Sequence, residues 1–232
     1  MSLIVSLKVS DGIVMAADSR VSMQVRKEDD LRGVMGICHY SDTFHKLFVA
    51  KNGVGISFCG EMAIEKGNLS YLLEAFLEEK VSADLTVKET AEALLCYMKS
   101  LPKIPASIFH VCGYDEDIPV FYRVLPKKDM VEDLAERPLV WDGEGDILAR
   151  ILSPVVMRTP DGKTAPLPDH PLALNLFTLQ DAVDFADYAI RTTIEAMRFQ
   201  LRAKTVGGSV DLLVLRPDGP CWIRQKTLGE PK

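Results

Sequence analysis

The chain has 232 residues, 47% of them apolar, with 33 acidic against 27 basic side chains and a formal net charge of −6. That length favours one domain, 1–232, over two, and that apolar fraction is ample for a buried core. The acidic balance offers no clustered Lys and Arg to a nucleic acid or an anionic membrane, and no apolar run approaches the length that spans a bilayer.

Five scattered cysteines (38, 59, 96, 112 and 221) without CxxC spacing suit reduced thiols in a cytoplasmic protein. The start lacks the basic flank and the longer apolar region of a signal peptide. No residue pattern asks for a metal or a cofactor.

In chain order, Leu3–Val9 and Ile13–Ala17 read as two strands joined by Ser10-Asp11-Gly12, and an Asp-Gly pair between apolar runs is a strong hairpin signal. That hairpin carries Asp18 and Arg20 back beside residue 2. Residues 21–40, with the charged run RKEDDLR, read as a short strand and a solvated excursion. FHKLFVA and VGISFC form the next strand pair around Asn52-Gly53. A helix over about 62–79 follows, carrying Leu69, Leu72, Leu73, Phe76 and Leu77 at helical spacing. A second helix opens on Thr86 and Glu89 as a capping box, with Val87, Ala91, Leu94, Leu95 and Met98 as its stripe. Residues 106–113 and 118–125 read as another strand pair, and 146–153 as a short helix. The prolines of 154–177 argue for a long surface loop. Thr178 with Asp181 opens a long helix to about 203, and strands at Val210–Leu215 and Cys221–Arg224 close the chain. Strands and helices in segregated runs favour a layered α+β domain.

The chemistry-bearing residues gather at strand ends: Ser2, Asp18, Lys46 and Gly60. A serine hydroxyl is a weak nucleophile until a base takes its proton. Removal of Met1 would leave an α-amine beside the Ser2 hydroxyl, and its pKa of about 7.7–8.0 leaves a neutral fraction at physiological pH. A buried Lys46 paired with Asp18 would balance the charge of such a site, and the Gly60 N–H could serve an oxyanion. His45 and Cys59 read as structural.

DGIVMAADSRVS, then HKLF, then VGISFCGE and finally VGGSVDLLVL resemble the proteasome β-subunit superfamily of N-terminal nucleophile (Ntn) hydrolases, its bacterial HslV and Anbu-like members in particular. The resemblance runs from residue 2 to about 226. With a site residue at position 2, no room is left for the N-terminal helix of proteasome α-subunits, so the expected likeness is to β-subunits. It implies a four-layer αββα sandwich of two antiparallel sheets, an N-terminal peptidase, and self-assembly into a ring or spiral homo-oligomer that an unfoldase could serve. It implies Ser2 as nucleophile, Asp18 and Lys46 as its acid and lysine, and Gly60 as oxyanion glycine. It also implies substrate contacts at Val21, Ser22, Phe58 and Met62, the substrate being a peptide or unfolded protein. This chain departs from the family pattern in several places. The nucleophile is Ser rather than Thr. The segment between Asp18 and Lys46 is longer than usual. Glu144 lies where a serine between glycines is common, and Ala203 and Val206 replace a supporting Asp and Ser. The same fold also admits a catalytically inactive scaffold subunit, or a non-proteolytic amidase or peptide transferase.

Overall fold

A computed structural model describes residues 2–26, 35–64 and 67–227. The Asp-Gly turn forms as expected: β1 (Leu3–Val9) and β2 (Gly12–Ala17) pair antiparallel, with Ile4 opposite Ala17 and Val9 opposite Gly12. Both strands are buried almost throughout on both faces, the pattern of strands covered from either side. β12 (Leu139–Gly143), β15 (Asp211–Arg216) and β16 (Gly219–Arg224) complete a first sheet ordered β12-β1-β2-β15-β16. The second sheet is ordered β11-β10-β9-β6-β5, from β5 (Leu47–Val49), β6 (Gly55–Gly60), β9 (Ser107–Asp115), β10 (Ile118–Leu125) and β11 (Met130–Asp133).

Three apolar layers hold these sheets. Alternation along β1 sends Leu3, Val5 and Leu7 outward to α3 (Asp146–Leu152) and α4 (Leu179–Arg198), and turns Ile4 inward. The inward layer joins Ile4, Met15, Leu47, Phe121 and Leu213 between the sheets. Outside the second sheet, α1 (Leu69–Glu79) and α2 (Val87–Ser100) bury Leu73, Phe76, Ala91 and Leu94. The architecture is therefore the expected layered α+β sandwich, helix–sheet–sheet–helix. Both capping boxes close, Thr86 with Glu89 and Thr178 with Asp181.

Three expectations need correction. The first helix starts at Leu69, not near 62. Gly67 (φ +146°) breaks the regular chain there, and the Asn68 side chain accepts from Tyr71 N at 2.8 Å, while Ala63–Ile64 and Gly67–Asn68 pair as two short strands. Residues 154–177 are not all loop. Val156–Arg158 pairs with Thr164–Pro166, and in an isolated two-stranded ribbon Pro166 can stand where no ladder donor is needed. The long helix ends at Arg198 rather than 203. The apolar stripes of α1 and α2 pack against the second sheet. The large exposed apolar side chains lie mostly elsewhere, at Val156, Met157, Leu176, Phe199 and Leu201. The run RKEDDLR falls largely outside the described residues. Among those residues no helix is long and apolar enough to cross a membrane.

Candidate active site

The β1–β2 register brings the end of β2 level with the start of β1. Asp18 N donates to Leu3 O at 3.3 Å, and Leu3 N donates to Asp18 Oδ1 at 3.1 Å. The other carboxylate oxygen accepts from Arg20 N at 3.1 Å and Gly207 N at 3.0 Å. Lys46 enters from the opposite sheet, just before β5, where its carbonyl accepts from Phe58 N at 3.0 Å. Its Nζ stands 2.7 Å from Ser2 Oγ, 2.8 Å from Asp18 Oδ1 and 2.5 Å from Arg20 O. Ser2, Asp18 and Lys46 are all fully buried.

An ammonium has three N–H donors, and Lys46 meets three acceptors. Burial pushes its pKa below the ordinary lysine value, and the Asp18 charge opposes that push. One acceptor is the hydroxyl that would become an alkoxide, so the cation lies where negative charge would develop. Cys59 is no rival nucleophile: burial drives its thiol up to about 12, so it stays protonated. The His45 side chain lines outer clefts with Glu74, while its carbonyl accepts from Ser70 Oγ at 2.6 Å.

The backbone of Ser2 has a seat that the sequence reading missed. Glu144 N donates to Ser2 O at 2.8 Å, and Gly143 adopts φ +100° directly against that carbonyl. A Cβ at Gly143 would fall far inside van der Waals contact with Ser2 O, so only glycine fits. Gly143→Ala should therefore destabilise the fold by roughly 1–3 kcal/mol or more and displace Ser2, read as a lowered denaturation midpoint. Gly60 is likewise demanded by its surroundings, with φ +114° and a Cβ position only 2.5 Å from Ala106 O.

Where the resemblance leads one to expect small polar support, the chain has other groups. The Glu144 carboxylate lies 3.6 Å from Arg202, which grips Asp146 with two bonds of 3.0 and 2.9 Å. Ala203 is half-buried and Val206 is buried with the apolar residues beneath α4. Gly207 still supplies its N–H to Asp18, and the Arg20 guanidinium packs on it, paired with Asp42 at 2.7 Å through each of two bonds.

Val21 and Met62 line an apolar cavity of about 310 Å³ with Met23, Phe44, Ala63, Gly67 and Asn68. Phe58 is not among its lining residues. It is buried in the core, stacked on Phe48 at 6.2 Å and tilted on Phe109 at 5.7 Å between ring centroids. Ser22 is half-buried on β3 (Val21–Arg26), at a bulge in its pairing with β4 (Met35–Ser41).

No family model matches the chain, and no curated protein matches it. Solved structures do. A Gly-1 mutant of Anbu from Hyphomicrobium sp. strain MC1 is similar at TM-score 0.60 and 16% identity, over 97% of this chain and 86% of that one. Anbu from Yersinia bercovieri, described as an ancestral beta-subunit, is similar at TM-score 0.57 and 15% identity, over 95% and 86%. At such identities the likeness is one of fold.

Proposed function

We propose that the chain is an N-terminal nucleophile amide hydrolase, a peptidase of the proteasome-like kind, with Ser2 as nucleophile once Met1 is removed. The observation that carries this reading is the buried contact of Lys46 Nζ with Ser2 Oγ at 2.7 Å, with Asp18 Oδ1 on the same ammonium at 2.8 Å. In this reading the Ser2 α-amine takes the Oγ proton. Oγ attacks the substrate carbonyl while the Lys46 charge stabilises the developing alkoxide, and the Gly60 N–H faces the oxyanion. The tetrahedral intermediate expels the amine, which leaves with the proton returned by the α-amine. Water then cleaves the Ser2 ester by the same path. The cavity beside Val21 and Met62 would take an apolar side chain of a peptide or unfolded protein. The whole chain acts as one domain, in the cytoplasm.

The test is on protein made in its native host. Mass spectrometry should find Ser2 as the first residue, and a β-lactone should acylate it. Acylation should accelerate as pH rises from mildly acid, because an α-amine of pKa about 7.7–8.0 must be neutral to act as base. Retained Met1, or labelling of Ser2→Ala equal to wild type, would sink the hydrolase reading. The inactive scaffold would then stand in its place, and the apolar Ala203 and Val206 at the expected support positions favour that second reading.

Assembly into a ring or spiral of identical subunits belongs to the same proposal, with an unfoldase as a candidate partner. Exposed apolar side chains that neighbour one another in the chain, Val156 with Met157 and Phe199 with Leu201, support it, since grouped rather than single apolar side chains mark contact surfaces. Sedimentation at micromolar concentration should give six or more subunits, and a lone monomer would contradict it.

A further inference from the structure

We propose that Ser6, His110, Asp142 and Arg123 form a positioning device that holds β12 against the opposite sheet and thereby fixes the seat of the Ser2 carbonyl. This rests on the reading of Ser2 as the nucleophile and adds residues whose role is to place it.

The four side chains form one continuous polar chain between the sheets. Ser6 Oγ lies 3.0 Å from His110 Nδ1, and His110 Nε2 lies 2.8 Å from Asp142 Oδ2. Arg123 Nε donates to that same Asp142 oxygen at 2.7 Å, and its Nη1 donates to Glu132 at 2.9 Å. Ser6 and Asp142 belong to the first sheet, through β1 and β12, whereas His110, Arg123 and Glu132 belong to the second. Asp142 thus ties β12 to two strands of the opposite sheet.

The order Ser–His–Asp invites comparison with a nucleophilic triad, but burial argues otherwise. Ser6 and His110 are buried in mid-strand between the two packed sheets, whereas Ser2 becomes the first residue in the proposed reading, so no substrate carbonyl could reach the Ser6 hydroxyl. Burial pushes the His110 pKa down, against the opposing pull of Asp142, and keeps the ring neutral. A neutral ring donating from Nε2 to Asp142 accepts from the Ser6 hydroxyl at Nδ1, so every group has a partner. The groups around the ring are Asp142 on β12, Arg123 on β10, Ser6 on β1, the cross-strand Ser57 on β6 and the Cys112 thiol, which burial holds at about 12. Arg123 and Asp142 are the charged groups next to the ring, and Arg123 is shared between Asp142 and Glu132.

What this network controls follows from the register. β12 is an edge strand with β1 as its neighbour in the sheet. Ile4 stands opposite Asp142, and Leu3 stands opposite Gly143. The tethered Asp142 therefore immediately precedes the two residues that seat Ser2: Gly143, whose backbone touches Ser2 O, and Glu144, whose N–H binds it at 2.8 Å. An edge strand is held by few partners, so a side-chain tether one residue from the seat governs how far that seat can drift. A drift of an ångström is enough to misplace a reacting group.

The experiment uses protein beginning at Ser2 and reads two signals, the amide exchange rate of Glu144 and the saturation kinetics of Ser2 acylation by a β-lactone. In His110→Leu the Glu144 amide should exchange about tenfold faster or more, while Val214 on β15 keeps its protection. The maximal acylation rate should fall about 10- to 100-fold, with the half-saturating lactone concentration within about twofold of wild type. His110→Gln, which can still present a donor to Asp142, should recover most of both. If His110→Leu fails to fold, Asp142→Asn serves the same purpose, because both contacts fall on one carboxylate oxygen and a neutral amide removes the charge that holds Arg123 there. Unchanged exchange at Glu144, or loss of protection there and at Val214 in equal measure, would overturn the positioning role. Wild-type protein that the lactone never labels would instead overturn the hydrolase reading, and Glu144 exchange would still decide whether the network seats Ser2.

Discussion

Lys46→Ala should abolish acylation of Ser2, a loss of about 10²- to 10⁴-fold, while the protein still folds. The loss follows from geometry: Lys46 Nζ is the charged group at 2.7 Å from the Ser2 hydroxyl, in a site where burial strengthens every charge. The survival of the fold follows from what the substitution leaves behind. Asp18 would keep three backbone donors, Leu3 N, Arg20 N and Gly207 N, at 3.0–3.1 Å, so its carboxylate is not orphaned. Lys46→Met separates the two effects, because it fills most of the volume and removes only the charge. Both variants should label at the same background level and differ in denaturation midpoint. Labelling of Lys46→Met at more than about a tenth of the wild-type rate would remove Lys46 from the chemistry.

How much of this was legible in the sequence depends on the range over which each signal acts. The Ser10-Asp11-Gly12 hairpin and the two capping boxes are local, and local turn chemistry forms them as read. The start of α1 was misread because Met62 and Ala63 continue an apolar pattern, whereas Gly67 and Asn68, which end it, look unremarkable in a line of text. β11 and β12 were missed for a related reason: one is short, the other runs into glycines, and both sit at sheet edges where alternation is weak. At the site, nothing within FHKLFVA says that its lysine is buried, and the resemblance to proteasome-like β-subunits singled it out. His110 and Asp142 carried no signal at all, and Gly143 and Gly207 stood in the resemblance motifs with nothing to say what they would touch. Their partners lie far along the chain, His110 being 104 positions from Ser6 and Gly207 189 positions from Asp18, and only the packed sandwich brings them together.

Asp18→Asn should cost far more stability than Lys46→Ala, about 3–5 kcal/mol, a large share of the roughly 5–15 kcal/mol that holds a typical domain folded. The asymmetry lies in the donors around the carboxylate. Oδ1 accepts from Leu3 N and Lys46 Nζ, and Oδ2 accepts from Arg20 N and Gly207 N. An asparagine has one acceptor oxygen, so whichever way its amide turns, two buried donors face an NH₂ group. The Lys46 ammonium is meanwhile left with Ser2 Oγ and Arg20 O and no counter-charge in contact. Its pKa, which burial already holds below the ordinary value against the pull of Asp18, falls further. The sign of the pH effect is then fixed. Between the depressed folded value and the free-lysine value the unfolded chain binds more protons, so the stability of the variant rises with pH across that window. The deficit of Asp18→Asn against wild type should accordingly be largest near neutrality and shrink about one unit below the free-lysine value of about 10.4. Urea midpoints of both proteins at the two pH values measure it. A deficit that stays constant, or grows as pH rises, would mean that the uncompensated Lys46 charge is not what the substitution exposes.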